Sequence, residues 1–104
     1  MKYLYLDDIR EPKTNKDWVV VRTYDEALEY IKQNGCPDYI SFDHDLGENV
    51  PSGYDVAKWI VNMDIEMNGM LIPENFEFNV HSANPIGKSN IEGILTNYLE
   101  FRKK

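Results

Sequence analysis

The segment Tyr3-Leu4-Tyr5-Leu6-Asp7-Asp8 is the most informative about the fold, because a short apolar and aromatic run leads directly into two carboxylates. An unbroken apolar run of four residues is typical of a strand that is covered on both faces, as in parallel sheets. Two similar runs predict strands at residues 18–21 and 39–42. Residues 76–80 alternate with period two, which predicts a fourth strand that has one wetter face or lies at an edge of the sheet.

Three helices are predicted between and after these strands. Thr23, Ser52 and Ser89 are each followed three residues later by an acidic residue, a pattern that is typical of a helix N-terminus. The resulting order of elements indicates an α/β fold with a mostly parallel sheet of four strands. Residues 9–17 are too few for a crossover helix, so the second strand is reached either by a bare parallel crossover or by a long antiparallel hairpin.

Length, charge and cysteine content narrow the class of protein. A chain of 104 residues holds a single domain, which we assign to residues 1–104. The net charge of −7 excludes a generally basic binder of duplex nucleic acid. It is compatible with a small phosphorylated ligand, because a bound cation inverts the local field. The single cysteine and the short N-terminal apolar run predict a cytoplasmic protein with no membrane partner.

Acidic residues cluster where the predicted strands end. Asp7 and Asp8 follow the first strand, and Asp43 and Asp45 follow the third. Ligands of open α/β sheets bind at the carboxyl ends of the strands, so these four side chains are expected at one edge. Close carboxylates repel one another, and a divalent cation that prefers oxygen ligands, Mg²⁺ or Mn²⁺, stabilises such a cluster. We predict that Asp7, Asp8 and Asp43 bind the metal and that Asp45 is a further ligand or an outer base.

Both histidines of the chain fall at the same edge, His44 after the third strand and His81 after the fourth. Imidazole titrates near neutral pH, which makes both side chains candidates for proton transfer. His44 lies on the opposite side of its strand from Asp43, so packing against a helix is as compatible with its position as catalysis. His81 lies on the same side of its strand as Asn79 and is our predicted general acid.

Four polar side chains are candidates for holding an anionic oxygen of a phosphate. Ser82 and Asn84 follow the fourth strand, and Lys88 lies near the N-terminus of the next helix. Arg10, two residues after the aspartate pair, offers a bidentate guanidinium. Asn84 precedes Pro85 and is equally suited to cap a helix, so both of its roles stay open.

Several of these residues together resemble the receiver domains of response regulators. The resemblance rests on Leu6-Asp7-Asp8, on Asp43, on Gly53 ten residues later and on Ser82-Ala83. It implies that the acidic pair and Asp43 hold Mg²⁺ and that Ser82 contacts a phosphoryl group. It also implies a shortened, receiver-like (flavodoxin-like) fold of three layers, because the sequence has no counterpart of a receiver's first helix or of its fifth strand with an essential lysine.

Three longer motifs are similar to a divergent branch, the cyclic-phosphate processing receiver-like family. They are Leu-Asp-Asp-Ile-Arg-x-Pro at residues 6–12, Phe-Asp-His-Asp-Leu-Gly at 42–47 and His-Ser-Ala-Asn-Pro at 81–85. The resemblance implies a metal-assisted phosphoesterase, an enzyme that acts on the cyclic phosphate of a nucleotide or an RNA end. Two alternatives stay open: a non-catalytic module that senses a nucleotide or binds a partner, and a reduced receiver that accepts a phosphoryl group on Asp43.

Overall fold

A parallel sheet of four strands and three helices form the domain. The computed structural model describes residues 1–103. In chain order the elements are β1 (Tyr3–Leu6), β2 (Trp18–Val21), α1 (Tyr24–Asn34), β3 (Tyr39–Phe42), α2 (Gly53–Glu66), β4 (Glu77–Val80) and α3 (Pro85–Arg102). The strand order is β2-β1-β3-β4, and all three neighbouring pairs are parallel. The predicted α/β class is confirmed, and of the two connections left open for the second strand, the structure has the parallel crossover.

The three helices pack on one face of the sheet. The chain crosses the sheet in the same direction from β2 to β3 and from β3 to β4, and right-handed crossovers in one direction place their helices on one face. That face supplies the fully buried side chains of Leu4, Leu6, Ile40 and Phe42. The helical side chains in the same core are Ala27, Ile31, Val56, Ala57, Ile60, Val61, Ile91 and Leu95. Burying one Leu, Ile or Phe side chain contributes about 1.5–3 kcal/mol, so this face stabilises the fold.

The opposite face differs from the expectation that the strands are covered on both sides. The chain crosses the sheet from β1 to β2 in the reverse direction, so a right-handed crossover helix between them would lie on this face. Residues 7–17 form a loop instead. The third layer that the receiver resemblance implies is therefore this loop, and part of the sheet is left open as a groove.

Two of the three predicted helix starts are confirmed. Thr23 and Ser52 cap α1 and α2, and each side chain accepts a hydrogen bond from the backbone N–H three residues later. The start predicted at Ser89 is wrong, because α3 begins one turn earlier at Pro85. Asn84 caps it there, and its side chain accepts a hydrogen bond from the N–H three residues on, at 2.9 Å. Within residues 1–103, none of the helices combines the length and the apolar character needed to cross a bilayer.

Candidate metal and phosphate site

The register of the parallel sheet brings three predicted site residues together. Leu6 pairs with Phe42, and Phe42 pairs with Val80, so the next residue of each strand lies at the same level of the carboxyl edge. Those residues are Asp7, Asp43 and His81. One potential ligand atom from each lies within 4.8 Å of the other two. The two carboxylates are almost completely buried, and His81 is partly exposed.

Asp7 is the most heavily bonded member of this cluster. Its Oδ1 accepts hydrogen bonds from the backbone N–H groups of Ile9 (3.0 Å) and Arg10 (2.8 Å). Its Oδ2 lies 2.9 Å from the Nε atom of Arg10 and 2.9 Å from the Nε2 atom of His81. Burial acts to raise the pKa of Asp7, but these hydrogen bonds outweigh it and lower the pKa. Asp7 is therefore a carboxylate at neutral pH.

Arg10 bridges the two buried carboxylates. Its Nη2 atom lies 3.5 Å from Oδ1 of Asp43, while its Nε atom pairs with Asp7. The guanidinium is about half exposed, so it closes the cluster towards solvent. Burial and the negative charge of Asp7 raise the pKa of Asp43, and the Arg10 charge only partly opposes them. One guanidinium thus faces two carboxylates, which leaves excess negative charge for a further cation.

His81 is held on three sides. Its Nε2 atom faces Asp7, its Nδ1 atom lies 2.7 Å from the Oγ atom of Ser41, and its ring stacks on Tyr5 with centroids 4.6 Å apart. These contacts fix the ring plane and give each nitrogen a defined partner. Neither Ser41 nor Tyr5 was among the site residues predicted from the sequence. The available signal was the period of two, which puts Ser41 on the same face of β3 as Asp43.

His44 lies outside this cluster, on the helical side of the sheet. Its ring packs against Gly87 so closely that a Cβ atom at that glycine would overlap the imidazole. Its Nδ1 atom lies 2.9 Å from Oδ1 of Asp45, and this hydrogen bond is the main reason that the pKa of Asp45 is lowered. The amide of Asn84 lies 3.5 Å from the other carboxylate oxygen of Asp45. His44, Asp45 and Asn84 therefore form a second cluster at the N-terminus of α3.

The remaining predicted site residues lie around these two clusters. Asp8 is partly buried and is not a member of the three-residue cluster. Ser82 accepts a hydrogen bond from the backbone N–H of Asn84 at 3.0 Å, which closes the turn before α3. Lys88 is exposed in the first turn of that helix. The structure thus joins Arg10 to the Asp7 cluster and places Asn84 both as a cap and beside Asp45.

The close approach of α2 to the carboxyl edge depends on Gly53. Its backbone N–H donates to the carbonyl oxygen of His44 at 2.8 Å. A Cβ atom at this position would overlap the carbonyl oxygen of Asp43. The glycine that supported the receiver resemblance therefore has a physical role, because it lets the first turn of α2 pack directly against the residue that follows β3.

The donor set suits a divalent cation. Two buried carboxylates and one imidazole come within 4.8 Å of one another, and carboxylate oxygen is the donor that Mg²⁺ and Mn²⁺ prefer. Asp7 and Asp43 supply charge that Arg10 compensates only in part. The cluster could therefore hold a metal ion, as receiver domains do.

Comparison with known proteins agrees with this arrangement. The sequence model of the cyclic-phosphate processing receiver domain matches residues 2–97. The chain belongs to this family. No curated protein matches this receiver domain. One solved structure, described as the yeast Spc42 trimeric coiled coil (amino acids 181–211) fused to another protein, superposes with a TM-score of 0.55 at 16% identity. The match covers 98% of the receiver domain and 76% of that chain, and it shows likeness of fold alone.

Proposed function

We propose that this receiver domain is a metal-assisted phosphoesterase that opens the cyclic phosphate of a nucleotide or an RNA end. The observation that supports this proposal is the cluster in which two buried carboxylates and an oriented imidazole come within 4.8 Å of one another. Family membership supports an involvement in cyclic-phosphate processing. The presence of a group suited to proton transfer beside a potential metal site favours catalysis over binding alone.

Asp7 and Asp43 would hold the cation, and Asp8 is the proposed third ligand. A bound Mg²⁺ or Mn²⁺ would polarise a phosphoryl oxygen and lower the pKa of a water molecule. In the reaction, water adds to phosphorus, one P–O bond to the ribose breaks, and the leaving oxygen takes up a proton. The product is a phosphomonoester with a free ribose hydroxyl.

His81 is the proposed proton donor to that leaving oxygen. Its Nε2 atom is held by Asp7, and its Nδ1 atom lies against the hydroxyl of Ser41, a residue that lines the open groove together with His81. The proton would reach the ligand from Nδ1 directly or through the Ser41 hydroxyl. General acid catalysis of this kind contributes roughly 10²–10⁴-fold to a rate.

Arg10 is the group that we propose to hold the phosphate, because its half-exposed guanidinium lines the groove beside the candidate metal site. Ser82, Asn84 and Lys88 remain proposed as outer contacts to the phosphate. His44 and Asp45 pair with one another in the second cluster, so we assign them at most the orientation of a water molecule. The proposed partner is a small phosphorylated ligand, without duplex nucleic acid or membrane, and the proposed compartment is the cytoplasm.

The test is hydrolysis of 2′,3′-cyclic, 3′,5′-cyclic and ADP-ribose cyclic phosphates with Mg²⁺ or Mn²⁺, followed by phosphorus NMR. We expect metal-dependent ring opening that falls by roughly 10²–10⁴-fold in His81→Gln. Asp43→Asn should abolish the turnover that depends on Mg²⁺ or Mn²⁺. Asp17→Asn, the same chemical change at an exposed residue outside the site, should leave the rate unchanged. Absence of turnover for every compound with both metals would refute the proposal.

Two other functions can be distinguished from the phosphoesterase with the same purified protein. The Arg10 bridge already compensates part of the carboxylate charge, which favours a sensor that binds a nucleotide without catalysis. In that case cyclic nucleotides should raise the melting temperature equally in wild type and His81→Gln, with no product. A phospho-accepting receiver should instead be labelled by a small phosphodonor, and Asp43→Asn should abolish the label.

A further inference from the structure

The open face of the sheet carries a groove of about 680 Å³, which lies within the range of ligand-binding sites. Strands and loops, not helices, supply its walls. The period of two places four aromatic rings on this face, and we call the space that they line the sheet-face groove. These rings belong to Tyr3, Tyr5, Trp18 and Tyr39.

Trp18 is the centre of this aromatic surface. Its ring centroid lies 5.4 Å from that of Tyr3, 5.6 Å from that of Tyr5 and 5.9 Å from that of Tyr39, all in edge-on geometry. Trp18, Tyr3 and Tyr39 are only partly buried, so they leave aromatic surface accessible to a ligand. Aromatic side chains on the bare face of a four-stranded sheet are a common platform on which unpaired bases stack.

The sheet-face groove is continuous with the carboxyl-edge cluster. His81 and Arg10 line one end of it, where the His81 ring stacks on Tyr5, and Ser41 lines the groove at the level of Tyr5. Tyr3 begins β1 and Asp7 is the residue directly after it, and this separation of four residues corresponds to roughly 13 Å along the groove. This length is sufficient for a nucleoside to lie on the rings while its phosphate reaches His81.

Charge along the sheet-face groove also favours an anion. Lys13 and Lys16, from the loop between β1 and β2, line one wall in addition to Arg10, although the chain as a whole carries a charge of −7. Neither lysine forms an ion pair with a carboxylate among residues 1–103. The carboxylates in the lining, Asp38 and Glu77, lie at the amino-terminal edge of the sheet, away from His81. Arg10 is thus the cation at the phosphate end, whereas the Nζ atom of Lys16 lies 5.3 Å from the ring centroid of Tyr3, at the other end of the groove.

We propose that the sheet-face groove binds the nucleoside part of the substrate, with its base stacked on the aromatic surface around Trp18. This inference deepens the proposed phosphoesterase function and rests on it, because that function places the phosphate at the His81 end of the groove. The substrate class becomes a cyclic phosphate that carries a base, either a free nucleotide or the terminal nucleotide of a single strand. A base-free ribose cyclic phosphate lacks the stacking contact and should be a poor substrate.

The first experiment compares KM for a nucleoside 2′,3′-cyclic phosphate with KM for 1-O-methylribose 2′,3′-cyclic phosphate. Loss of one base–aromatic stack corresponds to roughly a 5- to 150-fold change in affinity. We expect Trp18→Leu to raise KM by this factor for the nucleoside compound only. Trp59→Leu, at the other tryptophan, which lies on α2 outside the groove, should leave the ratio of the two KM values unchanged. Equal KM values for both compounds in wild type would overturn the inference while hydrolysis itself upheld the phosphoesterase.

The second experiment does not depend on catalysis. In a Trp59→Phe protein, Trp18 is the only tryptophan, and its fluorescence reports on the sheet-face groove. We expect quenching by a nucleoside 2′,3′-cyclic phosphate and by an oligoribonucleotide with the same end, but not by the methylribose compound. If Lys13→Ala and Lys16→Ala weaken the oligonucleotide alone, the natural ligand is a strand end; if they affect both equally, it is a free nucleotide.

Two results of the fluorescence experiment would overturn the inference. The first is absence of quenching by both base-containing ligands. The second is a change in Trp18 emission that depends on protein concentration and accompanies dimer formation, because the groove would then be an interface between copies of the chain. Base-dependent quenching without turnover would instead uphold the nucleoside site and refute the phosphoesterase.

Discussion

Replacement of Asp43 by Asn should stabilise the metal-free protein and at the same time remove its response to Mg²⁺. Asp43 and Asp7 are both buried, and their nearest oxygens lie within 4.8 Å of one another. At an effective dielectric constant of about 20, two unit charges at that separation repel by about 3.5 kcal/mol. The opposing guanidinium of Arg10 is 46% exposed, so solvent screens its attraction to Asp43 and reduces it to ~1 kcal/mol, the value of a surface ion pair. We therefore expect Asp43→Asn to raise the free energy of unfolding by about 1–3 kcal/mol.

The shift in the pKa of Asp43 also predicts that Asp43→Asn stabilises the metal-free protein. Burial and the charge of Asp7 raise the pKa of Asp43 in the folded state. A raised pKa means that the stability from the protonated form is present at low pH and is lost as the pH rises through the folded-state value. At neutral pH the ionised Asp43 therefore destabilises the fold, and a neutral Asn removes that cost. The amide oxygen of Asn can still accept the hydrogen bond that the His44 backbone N–H donates to Asp43 at 2.9 Å.

The assay is thermal and urea unfolding with and without Mg²⁺. For a domain of this size, 1 kcal/mol corresponds to about 4–8 °C in Tm, so the metal-free variant should melt above wild type. At a metal concentration 100-fold above its Kd, wild type should gain about 2.7 kcal/mol, whereas Asp43→Asn should gain almost nothing. Asp17→Asn, in an exposed position, should behave like wild type in both conditions. If metal-free Asp43→Asn melts below wild type, the two carboxylates do not repel as described; an equal Mg²⁺ response in both proteins would show that Asp43 is not a metal ligand.

Three further residues, Asp64, Cys36 and Gly53, give predictions about stability and burial. Asp64→Ala should lower the free energy of unfolding by about 3–5 kcal/mol in urea, because the buried carboxylate accepts two backbone N–H bonds, a 2.6 Å bond from Tyr98 and a guanidinium contact. Burial acts to raise the pKa of Asp64, but those bonds outweigh burial, and the pKa is lowered. The stability that the ionised Asp64 contributes is therefore present above the unfolded-state pKa and is lost as the pH falls through the folded-state pKa. Unfolding measured between pH 7 and pH 2 will show this loss. Burial raises the pKa of the Cys36 thiol to about 12, so a thiol reagent at pH 8 should label only the denatured protein, and fast labelling of the native protein would contradict its burial. Gly53→Ala should destabilise the fold, because its Cβ would overlap the Asp43 carbonyl oxygen; an unchanged Tm would mean that α2 can shift away from the sheet.

Local sequence patterns predicted most of the secondary structure. The apolar runs correspond to β1, β2 and β3, and the caps at Thr23 and Ser52 begin α1 and α2. Ser89 failed as a helix start because Asn84 and Pro85, one turn earlier, form a better N-terminus.

The sequence predicted where in the fold the candidate site lies, but not which of its side chains contact one another. Sequence alone placed Asp7, Asp43 and both histidines at the carboxyl edge, because strand ends and the alternation of side chains are local properties. It could not show that Arg10 bridges the carboxylates or that Ser41 holds His81. Those contacts join residues far apart in the chain, so they depend on the order and register of the strands.

Local polarity in the sequence thus accounts for the four strands, the acidic residues after β1 and β3, and the class of fold. Only the folded chain shows that His81 joins Asp7 and Asp43 while His44 packs on Gly87, because strand order and register bring the ends of β1, β3 and β4 together and α3 packs against the other side of His44's strand end. It also shows that the aromatic face stays open. Crossover handedness places α1 and α2 on the other face, where α3 packs beside α2, and the short connection between β1 and β2 supplies no helix to cover this one.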